Sequence, residues 1–119
     1  CSSDLLKKNI QDLPSALDTL MALRPVSFDW RVDDPDVLKH YDLISRFKNH
    51  PHSIGFIAQD IEKLIPEAIE EETVGDSEVQ YLQLDYDKLL PVVVKAVQEL
   101  KAENDVLRAR LDALDAAAR

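Results

Sequence analysis

The chain is most regular toward its C-terminal end. Alternating steps of four and three residues pass through Val93, Val97, Leu100, Asn104, Leu107, Leu111, Leu114 and Ala118, a heptad seam with one polar member. With Val93, Leu100, Leu107 and Leu114 at d, the a positions are Val97, Asn104, Leu111 and Ala118. Glu103 at g then precedes Arg108 at the following e, the offset of interchain salt bridges in parallel coiled coils. Asp87 is the expected N-cap, which leaves Pro91 near the end of the first turn, where its missing N–H does least harm. A helix from about Lys88 to Ala117 is about 45 Å long at 1.5 Å per residue, longer than the body of a small domain. Its seam is therefore expected to be covered by partner chains. Asn104 reads as a device for register and stoichiometry, and the heptads by themselves leave dimer and trimer open.

Upstream, the patterning is shorter-ranged. In DLPSALDTLMAL, Leu13, Leu17, Leu20 and Leu23 have helical spacing, with Asp12 as a cap and Pro14 in the first turn, and Arg24-Pro25 ends the element. PVSFDWR alternates Val26, Phe28 and Trp30 against Ser27, Asp29 and Arg31, the period of a half-buried strand. From Val32 to Ser53 the chain is charged and proline-containing, a long excursion read as an extended arm with one short helix around Asp36 to Phe47. SIGFIAQDIEKLIPEAI predicts a strand around Ile54 to Ile57, then a helix from Ala58 to Leu64 stopped by Pro66, with Glu67 to Glu71 extended. Gly75-Asp76 is a turn signal, and VQYLQLDY returns as a strand whose two faces are both mixed.

Composition narrows the function classes. The 119 residues carry 14 Lys plus Arg against 23 Asp plus Glu, a formal charge of −9 that argues against phosphate-backbone binding by the surface as a whole. Two glycines leave little for a turn-rich sandwich, so helix is expected to dominate. Leu89 to Val94 is a typical apolar stretch and is far shorter than the about 20 residues a membrane span needs. Neither nucleic acid nor membrane is an expected partner. A single cysteine excludes an internal disulfide.

Few residues carry recognisable chemistry. His40, His50 and His52 sit in a charged loop without metal-ligand spacing, so no metal site is expected. The acidic runs Asp33, Asp34, Asp36 and Glu70, Glu71, Glu72 read as solvated faces. No phosphate-cradling glycine loop occurs, and no cofactor is predicted. What remains is N-terminal: Ser2 and Ser3, followed five residues later by Lys7 and Lys8. A lysine whose pKa is lowered by burial can act as base for a serine without histidine or aspartate, although the same residues also describe a helix N-cap followed by exposed lysines.

The order of SSDLLKKNI, ALDTLMALRPVSFDW, IGFIAQDIEKLIPEAI and LDYDKLLPVVVKAVQEL resembles the C-terminal intramolecular chaperone and self-cleaving domain of phage tail spikes, tail fibres and endosialidases, a type also found in the myelin regulatory factor. The resemblance covers nearly all of the chain. It implies a homotrimer that assists folding of an upstream fibre or spike stalk on the same polypeptide, then cuts itself off before a serine. It further implies assembly in the host cytoplasm and release from the mature fibre.

The motif of the family looks like S-D-x-R-L-K-x-N-I, with the serine as nucleophile and the lysine as base. Anchoring on Leu6, Lys7, Asn9 and Ile10 assigns Ser2 and Lys7 and places the cleaved bond between Cys1 and Ser2. Ser3 then stands in place of Asp and Leu5 in place of Arg. The alternative register pairs Ser3 with Lys8. Other readings are a trimerisation module that does not cleave and the release domain of a membrane-tethered transcription factor. The expected architecture is α+β, mainly α: a globular auto-processing part over residues 1–86 with short strands and an arm at about 32–53, and a coiled-coil helix over 87–119, one domain overall.

Overall fold

The computed structural model describes residues 3–73 and 80–118. A 3-10 turn at Asp4–Leu6 precedes helix α1 (Leu17–Met21), strand β1 (Val26–Asp29), helix α2 (Pro35–His40) and a 3-10 segment at Asp42–Phe47. Strand β2 (His52–Gly55), helix α3 (Ala58–Leu64), a 3-10 turn at Pro66–Ala68, strands β3 (Ile69–Thr73) and β4 (Gln80–Leu84), a 3-10 turn at Tyr86–Lys88 and helix α4 (Leu89–Ala118) follow. The fold is α+β and mainly helical, with two small two-stranded sheets and one long C-terminal helix. Its residues divide into two compact units, 1–20 with 91–119 and 21–90.

In the unit 21–90, β1 and β2 are antiparallel, with Val26 opposite Gly55 and Asp29 opposite His52. Val26 and Phe28 are half-buried and Ser27 and Asp29 exposed, as the alternation predicts. The second strand lies two residues earlier than the expected Ile54 to Ile57. Pairing with β1 turns Ile54 outward, 79% exposed, and turns Gly55 inward. A Cβ at this inward position would stand 2.6 Å from the Tyr86 hydroxyl, so a larger residue must displace the end of that side chain. Helix α3 has the predicted bounds and stops before Pro66, whose ring cannot continue it.

The excursion between β1 and β2 contains two helical pieces where one was predicted. Asp34 caps α2 by accepting from the amides of Asp36 and Val37, Pro35 occupies the first turn, and Tyr41 leaves helical geometry at φ −134°. Aromatic packing closes the excursion onto the strand: Trp30 stacks on Phe47 at 4.5 Å and meets the edge of Phe28 at 5.0 Å, while the Trp30 amide donates to the Pro51 carbonyl at 2.8 Å. β3 and β4 pair antiparallel from Ile69 opposite Leu84 to Thr73 opposite Gln80. The expected Gly75-Asp76 turn lies outside the described residues. Among the described residues of this unit, Ile44, Ile61, Ile65, Ala68 and Leu89 are the buried apolar ones.

Two expected caps are corrected. The helix predicted from Asp12 through Leu23 is confined to Leu17–Met21, and residues 11–16 carry no helix or strand. Its first amides are satisfied by a residue far along the chain, described below. Asp87 does not cap α4: it lies inside the 3-10 turn Tyr86–Lys88 that leads into the helix, and that turn is capped by Asp85, whose carboxylate accepts from the Asp87 amide. The 30 residues of α4 make it about 45 Å long.

Candidate functional site

The unit formed by residues 1–20 and 91–119 contains both the N-terminal motif and nearly all of the long helix. Cys1 and Ser2 lie outside the described residues. Ser3 is half-buried and caps the turn Asp4–Leu6, its hydroxyl accepting from the Leu5 amide at 3.3 Å. Ser3 is thus a local cap of the kind serine makes before a helical turn. Lys7 closes the same turn through its amide, which donates to the Asp4 carbonyl at 3.1 Å. Both Lys7 and Lys8 are exposed residues in the single chain.

Beyond the lysines the chain is irregular but defined. Asn9 takes the left-handed conformation at φ 57°, a region that asparagine enters more readily than most residues because its short amide side chain bonds locally. Ile10 and Leu13 continue as exposed apolar side chains, as do Leu5 and Leu6 before them.

The segment is fastened to α4 by Glu99. One carboxylate oxygen accepts from the Ala16 amide at 2.7 Å, and the other accepts from the Ser15 hydroxyl at 2.9 Å and the Leu17 amide at 3.3 Å. Ala16 and Leu17 are the donors that open α1, where intrahelical partners do not exist. A carboxylate there is favoured by charge-assisted hydrogen bonding and by the helix dipole. The same bonds, the one from Ala16 foremost, hold the Glu99 carboxyl below the usual carboxylate range, with Lys95 adding to the effect. Ala16 and Ala96 are the buried residues of this unit, consistent with small side chains at a close approach.

Glu99 was not anticipated from sequence. Ser15 is visible as a residue that favours helix starts, but its partner lies 84 positions away and outside the heptad seam, where a glutamate reads as an ordinary solvated c position.

The seam itself is open. Val93, Val97, Leu100, Leu107, Leu111 and Leu114 are exposed in the single chain, from 37% at Val93 to 66% at Leu114, and Asn104 and Ala118 are exposed as well. Glu99 therefore fixes the N-terminal segment to α4 while the apolar row of the helix stays uncovered. In the other unit, His52 does not join His40 and His50 around a shared centre. Its Nδ1 lies 2.6 Å from Asp29 Oδ1, its cross-strand neighbour.

No curated protein matches the sequence. The sequence model of the Peptidase S74 family, described as the chaperone of endosialidase, matches residues 2–70, more than half of the chain. The match begins at the serine of the N-terminal motif and runs through the β1–β2 pair and α3 into β3. A chaperone role and a peptidase-type character come with it, and the chain belongs to the Peptidase S74 family, the chaperone of endosialidase.

Proposed function

We propose that the chain is an intramolecular chaperone that trimerises along α4, assists folding of a phage tail fibre or spike stalk upstream on the same polypeptide, and then releases itself by cutting between Cys1 and Ser2. The observation that carries this reading is the open apolar seam of α4 on the unit that also bears the N-terminal motif. Each leucine that passes from water into a trimer core contributes about 1.5–3 kcal/mol, and the seam offers Leu100, Leu107, Leu111 and Leu114 on every chain.

In the cut, Ser2 Oγ attacks the carbonyl carbon of Cys1 while the neutral amine of Lys7 takes the hydroxyl proton. The Cys1–Ser2 C–N bond breaks, the proton passes to the departing Ser2 nitrogen, and Cys1 is left as an ester on Ser2 Oγ. Water then hydrolyses the ester, giving a Cys1 carboxyl and restoring the Ser2 hydroxyl. The base must be uncharged to take the hydroxyl proton. Burial of Lys7 at an interface with a neighbouring chain favours the neutral amine, which makes cutting conditional on assembly. After release, the fibre is kept folded by the height of its unfolding barrier, with no need for its chaperone.

The test is intact mass and light scattering on a polypeptide extended about one domain upstream of Cys1, beside its Ser2→Ala, Ser3→Ala and Lys7→Ala variants. The reading requires wild type and Ser3→Ala to split before Ser2, Ser2→Ala and Lys7→Ala to stay whole, and the released piece to be a trimer. A polypeptide that trimerises without ever splitting identifies a trimerisation module instead.

A further inference from the structure

Every residue of α4 from 101 to 118 is exposed, a stretch of about 27 Å. One turn earlier the helix is occupied within the chain, where Glu99 clamps residues 15–17 and Ala96 is buried. The charges that flank the seam along the exposed stretch are of two kinds. Lys101 pairs within the helix, its Nζ 2.5 Å from Asp105 Oδ1 one turn on. Glu103, Arg108, Arg110 and Asp115 enter no ion pair among the described residues. In the heptad register Glu103 and Arg110 are g positions, and Arg108 and Asp115 are the e positions that follow them. Between parallel helices, g of one faces e of the next heptad on its neighbour. Glu103 then faces Arg108 of the next copy and Arg110 faces Asp115, opposite charges at both places with the order of signs reversed from the first pair to the second.

We propose that residues 101–118 of α4 form a self-recognition surface whose occupant is the same stretch of other copies of this chain, parallel and in register, with Glu103–Arg108 and Arg110–Asp115 pairs between copies selecting that alignment. The proposal rests on the trimeric reading above and adds to it which contacts choose the partner. The reversal of signs is what makes the choice. Sliding one helix by a heptad sets Glu103 against Asp115 in one direction and Arg110 against Arg108 in the other. The two antiparallel alignments that overlap the seam most fully put Lys101 beside Arg108 of the other copy, or put Lys101 and Glu103 each beside its own counterpart. An exposed ion pair contributes little by itself, about twofold in an equilibrium constant, but two pairs across each of three interfaces multiply to about sixtyfold. The like charges of the wrong alignments widen that difference, which is how specificity arises from individually weak contacts. A helix with the same apolar seam and other flanking charges is disfavoured in the same way. Alignment in register also brings residues 15–17 of every copy to one level of the bundle, because Glu99 fastens them to α4.

The test uses the 119-residue chain with Glu103→Lys, Arg108→Glu and the double variant, association being measured by sedimentation equilibrium and helix content by circular dichroism. Each single reversal should weaken association at least about tenfold, and the double variant, which restores opposite charges, should return to within about threefold of wild type. Positions 103 and 108 share no ion pair within the chain, so this coupling reports contact between copies. Alignment is read from zero-length carbodiimide cross-linking of Arg108→Lys and Arg110→Lys chains, each assembled from mixed heavy- and light-nitrogen copies. Links from Glu103 to position 108 and from Asp115 to position 110 between copies are expected. Single effects that simply add in the double variant overturn the charge selection. Links running mainly from Glu103 or Asp115 to Lys101 overturn the alignment, and in both cases trimerisation itself stands. A folded wild-type chain that stays monomeric overturns the trimeric reading, and the alignment falls with it.

Discussion

The amide of Ala16 donates to Glu99 Oε1 at 2.7 Å across 83 positions of sequence. With the Ser15 and Leu17 bonds beside it, this contact makes the start of a five-residue helix depend on a helix at the other end of the chain. Isolated helices of that length are not stable in water, since one turn fixes several residues for one internal bond. α1 therefore owes its existence to the partner that accepts its first donors.

That dependence sets a pH response. The Glu99 carboxyl is held below the usual carboxylate range by the Ala16 bond first, then by Ser15, with Lys95 contributing. A lowered folded-state value means that the unfolded chain binds the proton more readily. The clamp thus contributes fully above the ordinary carboxylate range and is lost as pH falls through the lowered value. Corrected for its intrinsic rate, hydrogen exchange at Ala16 and Leu17 should be flat through neutral pH and rise only in acid. A rise near neutrality would mean that a different group holds the segment.

Gly55 and Tyr86 form a second long-range dependence, within the unit 21–90. A Cβ at position 55 would sit 2.6 Å from the Tyr86 hydroxyl and 3.5 Å from Phe28, so Gly55→Ala must push the tyrosine aside. The expected cost is about 1–3 kcal/mol in denaturant unfolding. Tyr86→Phe removes the offending oxygen, and the double variant should recover much of the loss. A double-mutant cycle with no coupling between the two positions would locate the role of Gly55 elsewhere.

The seam of α4 permits a cleaner separation of folding from assembly. Leu107 is 54% exposed in the single chain, so Leu107→Glu should change single-chain stability by less than about 0.5 kcal/mol. In a trimer it places three carboxylates in the core, and light scattering should report a monomer. Asn104→Ile should act in the opposite sense, strengthening association while loosening the choice of oligomer. A Leu107→Glu chain that keeps its oligomeric state would remove the seam from the interface.

What the sequence made legible follows from the range of the interactions involved. The bounds of α3 and the extent of α4 were readable because both depend on residues three or four apart and on prolines nearby. β1 was readable from its period of two. The strand opposite it was misplaced by two residues because its bounds are set by its pairing with β1, from Val26 opposite Gly55 to Asp29 opposite His52, while apolar content alone favoured Ile54 to Ile57. Asp87 was misassigned as the cap of α4 because a 3-10 turn, capped by Asp85, precedes the helix and contains Asp87. Glu99 carries no local signature at all. Its partners are two backbone amides and one serine hydroxyl, groups too common along the chain to mark a partner. At the cleavage motif, the sequence left Ser2 and Ser3 as alternatives, and the cap formed by Ser3 gives that hydroxyl a structural occupation.

Trp30 is the one tryptophan of the chain, stacked face to face on Phe47 and edge-on to Phe28. Its fluorescence consequently samples the β1–β2 neighbourhood. The helical circular dichroism signal, by contrast, is dominated by the 30 residues of α4. Two ordinary optical measurements thus report on different elements of the chain, and the gap between their transitions measures how cooperatively those elements melt.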